Sequence, residues 1–306
     1  MGPGEVTDGD DRAWQLLGGA VPSSWPGSAT SGVGSTTVGC VGSVVTRNRV
    51  NVSGPAEGRP MVFAHGFGCD QTLWRLVAPR FSCDHRVVLF DHVGSGQSDL
   101  SAYDPDKYGA LDGYATDVVE ICRELALSDV VFVGHSVSAM IGVLAYHRAP
   151  ELFGAMVMIG PSPRYVDDGD YVGGFSRSDI VGLLDALDSN HLGWSAQMAP
   201  VIMGNPERPE LAEELTNSFC RTAPDIARQF ARVTFLSDNR ADLHGVEVPT
   251  LVLQCSADAI APDAVGEYVH RQIPGSTLVR MRATGHVPQL SAPEETTAAI
   301  RAFLTP

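Results

Sequence analysis

This chain has no apolar run approaching the roughly 18–20 residues that a membrane span requires. It also lacks the basic start and apolar block of a secretory signal near its N-terminus. Neither a membrane-embedded nor an exported protein is expected. Paired cysteines are missing too. The six cysteines (Cys40, Cys69, Cys83, Cys122, Cys220 and Cys255) are scattered, with no C-x-x-C. That excludes the common zinc and dithiol motifs and predicts reduced core thiols in a cytoplasmic protein. Basic residues are few: 21 Lys and Arg stand against 36 Asp and Glu, a net charge of −15. Such a balance argues against nucleic acid or an anionic membrane as a partner. No histidine or carboxylate cluster has metal-ligand spacing, and neither a cofactor nor a metal is expected. The glycines of Asp91-His92-Val93-Gly94-Ser95-Gly96-Gln97-Ser98 could suggest a phosphate loop. They lack the third glycine of G-x-G-x-x-G and the Gly-Lys-Ser/Thr of a P-loop, so a structural turn is predicted.

What is present is a chain of 306 residues, 44% apolar, long enough for one large core or two domains. Its most informative stretch is Gly134-His135-Ser136-Val137-Ser138. The β-branched and aromatic run Val130–Val133 before it suits a buried strand. The all-round apolar run Ala139–Tyr146 after it suits a buried helix. A serine between the two sits on a sharp, crowded turn that raises its hydroxyl out of the sheet and needs small neighbours. The usual pattern is G-x-S-x-G, and Ser138 in the last position is a small departure.

Residues 1–43 hold ten glycines with little periodicity and are predicted to be a disordered tail, or a mis-assigned start, since no second Met occurs before Met61. Asp10-Asp11 could cap a short helix through Trp14, Leu16 and Leu17. From residue 44 the chain alternates. Strands are predicted at 43–46, 50–53, 61–64, 87–90, 130–133, 155–159, 251–254 and 278–281. Helices are predicted at 71–78, 112–125, 137–148, 262–272 and 294–303. This alternation predicts an α/β fold with a mostly parallel sheet, helices on both faces and an antiparallel start. Between Gly160 and Val248 lie almost ninety residues, whereas a single crossover needs about a dozen. Amphipathic patterns at about 178–189, 191–203, 209–220 and 224–236 predict an inserted four-helix cap. The domain expectation is a core over 44–160 and 241–306 with the cap over 161–240.

A serine hydroxyl is a weak nucleophile at neutral pH, and it needs a base that a carboxylate orients. In this architecture the order is Ser, then Asp or Glu, then His. Asp258 follows the strand ending at Gln254, and His286 follows the strand ending near Met281. Both are therefore expected at the sheet edge beside Ser136. His65, also at a strand end, is the second histidine candidate. Asp91, Asp167 and Asp168 are competing carboxylates. The oxyanion donors are expected from the backbone amides of Val137 and of Phe67 in His65-Gly66-Phe67-Gly68. His135 is expected in the pocket wall, and some of Tyr165, Phe175, Leu183, Trp194, Met198, Phe219, Phe230 and Phe235 should line a pocket beneath the cap. An aspartate nucleophile, as in a haloalkane dehalogenase or epoxide hydrolase, is excluded by Ser136. A cofactor-free haloperoxidase or carbon–carbon bond hydrolase remains compatible with the three residues.

Segments 66–74, 87–100, 131–142, 160–175, 227–243 and 253–262 together resemble the RsbQ-like α/β-hydrolases, regulators of the bacterial sigma-B energy-stress branch. The same segments are similar to the plant strigolactone and karrikin receptors. The resemblance implies an eight-stranded α/β-hydrolase core, a four-helix cap and a Ser136–Asp258–His286 triad. It also implies an apolar pocket touching Phe67, His135, Val137, Tyr165, Trp194 and Phe235, and small apolar ligands such as lactones. A phosphatase carrying a PAS sensor is the implied partner. The function expected is a serine hydrolase of small apolar esters or lactones with a role in stress signalling, the alternative being a ligand receptor with slow hydrolysis.

Overall fold

The computed structural model describes residues 43–305. All of the predicted N-terminal tail except Ser43, with its Trp14–Leu17 helix, lies outside the described residues. Seven strands form one sheet: β1 (Asn51–Ser53), β2 (Arg59–Ala64), β3 (His85–Leu89), β4 (Val130–His135), β5 (Phe153–Ile159), β6 (Thr250–Ser256) and β7 (Thr277–Thr284). Their order is β1-β3-β2-β4-β5-β6-β7, with only β1 antiparallel. The central strands β4 and β5 read Val-Val-Phe-Val and Ala-Met-Val-Met-Ile because both faces are covered, so nearly every position is buried.

The predicted eighth strand, Ser43–Thr46, is instead a helical turn, α1 (Val44–Arg47). Its backbone does not reach a sheet edge because charged groups pin it to α2 (Leu111–Glu124). The Ser43 hydroxyl and the Val44 amide both donate to the Glu124 carboxylate. Arg47 donates to Asp117 at 2.8 Å and to Glu120 at 2.6 Å. β-branched residues suggested a strand; a long-range carboxylate decided otherwise. The predicted helix 71–78 is likewise two 3-10 turns, Gln71–Trp74 and Ala78–Arg80. Asp70 caps the first through the Thr72 amide, and Pro79 ends any continuation between them.

Helices α2 and α3 (Val137–Arg148) cover one face of the sheet, with Phe132, Tyr114 and Ile141 buried between them. The other face packs on Trp74, Phe81 and Ile300, the last from α10 (Pro293–Leu304). Helix α8 (Asp263–Gln272) joins β6 to β7, and the turn α9 (Pro288–Ser291) leads into α10.

Four helices stand between β5 and β6: α4 (Arg177–Ser189), α5 (His191–Met203), α6 (Pro209–Arg221) and α7 (Pro224–Phe235). A capping box, Ser176 with Asp179, starts α4. Gly204 in the left-handed region ends α5. Their apolar faces close on a separate cluster that includes Leu183, Trp194, Leu215, Phe219 and Phe235.

Candidate active site

β4 runs into α3 through Ser136, whose φ of 56° and ψ of −125° are strained for a residue with a side chain. The turn is too tight for a side chain at Gly134, where a Cβ would lie 2.6 Å from the Ser138 carbonyl oxygen. His286 Nε2 is 2.8 Å from Ser136 Oγ, and its Nδ1 is 2.8 Å from Asp258 Oδ2. With Asp258 as acceptor, Nδ1 carries the proton and Nε2 is free to accept from the serine. The second Asp258 oxygen accepts from the amides of Ile260 and Ala261 at 2.9 and 3.0 Å. Those bonds fix the carboxylate and leave one oxygen for the imidazole. All three side chains are buried.

His286 is held by its backbone as well. The His286 amide donates to the Ile202 carbonyl of α5, and its carbonyl accepts from His135 Nε2, each at 2.8 Å. His135 thus joins the pocket wall and also braces His286. Burial first, and then the neighbouring His286, push the His135 imidazole down to about 3, so it stays neutral.

His65 takes no part in this relay. Its Nδ1 donates to the Gly66 carbonyl and its Nε2 accepts from the His92 amide. The competing carboxylates are also engaged elsewhere. Asp91 accepts from the amides of Gln71 and Gln97, Asp167 from those of Gly173 and Gly174, and Asp168 pairs with Arg240.

The loop after β2 turns at Gly68, at φ +69°, where a Cβ would strike the Phe219 ring at 2.2 Å. The amides of Phe67 and Val137 donate to no other group among the described residues. Two free N–H groups beside the serine are what a developing oxyanion needs.

Above the serine is a narrow, partly open cavity of about 30 Å³. Phe67, Tyr165, Phe219, Phe235, Ile260 and Val287 give it apolar walls, and His135, Ser136 and His286 are among the residues that line it. Val137, Trp194 and Met198 were predicted to touch the pocket but are not in the lining. Trp194 lies behind it, 6.1 Å from the Phe67 ring centroid and 5.6 Å from that of Phe219. Met198 packs, half buried, against the cap cluster. Trp194 and Met198 both sit on the part of α5 that packs against its neighbouring helices, whereas Ile202, further along, reaches the cavity. Of the wider aromatic set, Phe230 is turned to the core instead, stacked on Tyr114 at 4.6 Å.

The alpha/beta hydrolase family model matches residues 61–300. The chain belongs to the alpha/beta hydrolase family. It is similar to a probable esterase of Oryza sativa subsp. japonica, at 38% identity over 83% of this chain and 94% of that one. The strigolactone esterase of Arabidopsis thaliana is 39% identical over 83% of this chain and 95% of its own. Among solved structures, a hydrolase from Oleispira antarctica superposes with a TM-score of 0.83 at 39% identity, covering 86% of this chain and 97% of that one.

Sequence reasoning missed the tie that Ser138 makes at this hydrolase-family site, and six residues of the cavity lining, Ile202, Leu215, Ile260 and Val287 among them. Ser138 Oγ donates to the His65 carbonyl and accepts from His92 Nε2 at 2.8 Å, tying the 65–68 loop to the turn. Its place in G-x-S-x-S was read only as a small residue. Cys69 and Thr234 also line the cavity. Thr234 falls on the apolar stripe of α7, and that periodicity was the signal that could have found it. Among the described residues no three His, Cys, Asp or Glu group as a metal site, and no helix is long and apolar enough to cross a membrane.

Proposed function

We propose that this protein is a serine hydrolase that cleaves small, largely apolar carboxylic esters or lactones. The observation that carries the reading is the Ser136–His286–Asp258 relay, two bonds of 2.8 Å, at the base of an apolar cavity. In this reading Ser136 Oγ attacks the carbonyl carbon while His286 Nε2 takes its proton. The charge that appears on the imidazole is met by Asp258. The carbonyl oxygen, now negative, turns toward the Phe67 and Val137 amides. Collapse expels the alcohol, which takes the proton from His286. Water then repeats the sequence on the acyl-serine and frees the acid. Burial strengthens each of these contacts by excluding competing water.

The test is p-nitrophenyl acetate turnover by the wild type and by Ser136→Ala, with intact-mass analysis. Loss of at least about 1,000-fold in kcat, and an acyl adduct only in the wild type, is expected. Equal turnover in both proteins overturns the assignment.

A second reading, a ligand receptor with slow hydrolysis, is favoured by the cover that α5, α6 and α7 place over a narrow cavity. It also draws support from relatives named as karrikin insensitive receptors, one of them 38% identical, from Petunia hybrida. Here the acylated or ligand-filled cap would be what a partner reads, and a PAS-carrying phosphatase in a cytoplasmic stress pathway is the partner the RsbQ resemblance implies. A pre-steady-state burst followed by turnover slower than about 0.1 per second, far below the usual enzyme range, is expected in that case. Linear turnover without a burst argues for a plain hydrolase.

A further inference from the structure

Buried polar groups in folded proteins are almost always paired, and each exception calls for a cause. Two hydroxyls of residues that line the apolar cavity are exceptions. The Thr234 Oγ1 and Tyr165 OH atoms are buried and have no hydrogen-bond partner among the described residues. Both residues line the cavity, and Thr234 is only 1% exposed. The Tyr165 ring packs edge-on against Phe235, the residue next to Thr234, at 5.1 Å between centroids. Burial pushes the Tyr165 phenol up to about 12, and the nearby Ser136 hydroxyl works against that rise. Thr234 is therefore the sharper exception.

Thr234 had an easy way to satisfy itself. A helical threonine can donate to the carbonyl four residues back. Thr116, Ser195, Thr216, Thr296 and Thr297 all do so. Thr234, in α7, does not bond to the Phe230 carbonyl. Valine would fill the same volume without stranding a hydroxyl, so the polar atom is a cost to the free protein. A ligand oxygen in the cavity would remove that cost.

We infer that the Thr234 hydroxyl is a specificity anchor for a second oxygen of the substrate, an ether, ring or carbonyl oxygen set apart from the scissile carbonyl. The substrate class is then an oxygen-bearing ester or lactone rather than a plain alkyl one. This rests on the hydrolase reading of the same cavity. A site built to hydrogen-bond a substrate oxygen discriminates strongly against the analogue that lacks it, since its own polar group is then left unpaired.

The experiment compares p-nitrophenyl hexanoate with its 4-oxa and 5-oxa analogues, in which an ether oxygen replaces one methylene. kcat/KM is measured for the wild type, Thr234→Val and Thr234→Ser. The wild type should prefer at least one oxa ester. The ratio of oxa ester to hexanoate should fall about tenfold in Thr234→Val and recover in Thr234→Ser. The melting temperature of Thr234→Val should be equal to or above that of the wild type, because an unpaired hydroxyl has been removed. An unchanged ratio in a folded Thr234→Val protein overturns the inference, and leaves the hydrolase reading untouched. Absence of turnover of every ester by the wild type would instead sink the hydrolase reading. The comparison would then be read from ligand-induced melting shifts. A larger shift with the oxa ester in the wild type than in Thr234→Val supports the anchor, and equal shifts overturn it.

Discussion

Ser136 sits in a backbone conformation that costs of order 1–3 kcal/mol. The strain persists because both sides of the turn are fixed: the Ser136 amide donates to the Ile159 carbonyl, and Ser138 is anchored to His65. Ser138 carries a job that the usual glycine at its position could not. Replacing Ser138 by Ala leaves the His65 carbonyl and His92 Nε2 without their partner in a buried site. A loss of about 1–3 kcal/mol of stability follows. The 65–68 loop would also lose its tie to the turn, and misplacement of its amide should lower kcat about tenfold or more with KM little changed. Urea melts and steady-state kinetics on Ser138→Ala check both. A normal kcat would mean that the loop is held by other contacts.

At the scale of the element, helices α4–α7 gather around an apolar cluster of their own. Trp194 of α5 is 5% exposed and wedged behind Phe67 and Phe219, so its contribution is mostly packing. Trp194→Ala should destabilise the protein by about 3–5 kcal/mol. It should also raise KM, because Phe67 and Phe219 lose the ring that positions them. Trp194→Phe should recover most of both effects. Thermal denaturation beside ester kinetics would show it; a stable Trp194→Ala protein would place the residue outside the packed interior. Helix α6 closes on the core near the same loop. Ser218 Oγ donates to the Gly68 carbonyl at 2.9 Å, and Arg221 pairs with Asp70 at 2.9 Å. The ion pair is more than half exposed on the arginine side, so Arg221→Ala should cost less than about 1 kcal/mol.

For the whole molecule, pH is the informative variable. His65, His92 and His135 all have imidazoles held below the ordinary value, with burial as the leading cause. In the folded protein they stay neutral; in the unfolded chain they protonate near pH 6.5. The unfolded state therefore binds more protons below that pH, and stability falls as pH drops. The His135 contribution alone is about 2 kcal/mol between pH 7 and pH 5. Denaturant midpoints across that window should decline steeply, and His135→Asn should flatten the decline. A flat profile in the wild type would contradict the neutral, buried state of these rings. The net charge of −15 adds a second global effect. Self-repulsion of the folded state should be relieved by salt, raising the melting temperature modestly from low to moderate ionic strength.

How much of this was legible before folding differs by residue. The strand–turn–helix around Ser136 was legible because the apolar run on each side has only one buried arrangement. Asp258 and His286 were legible because their loops leave adjacent strand ends, which the order of elements already places beside Ser136. The Val44–Arg47 segment was not, since its fate rests on Glu124 and Asp117, some 70–80 residues away in sequence. Trp194 and Met198 were misplaced for a related reason. Amphipathic spacing tells which face of α5 is apolar, but not whether that face meets a cavity or another helix.

The sequence by itself determined most of the alternation of strands and helices, the family, and the placement of Ser136, Asp258 and His286 after strand ends, because these depend on local pattern and chain order. Only the tertiary structure decided which residues line the cavity, that His135 braces the His286 carbonyl, and that Ser138 ties the 65–68 loop to the turn. It alone also left the hydroxyl of Thr234 unpaired. Each of these depends on contacts between segments far apart in the chain, and on burial that turns a missing hydrogen bond into a measurable cost.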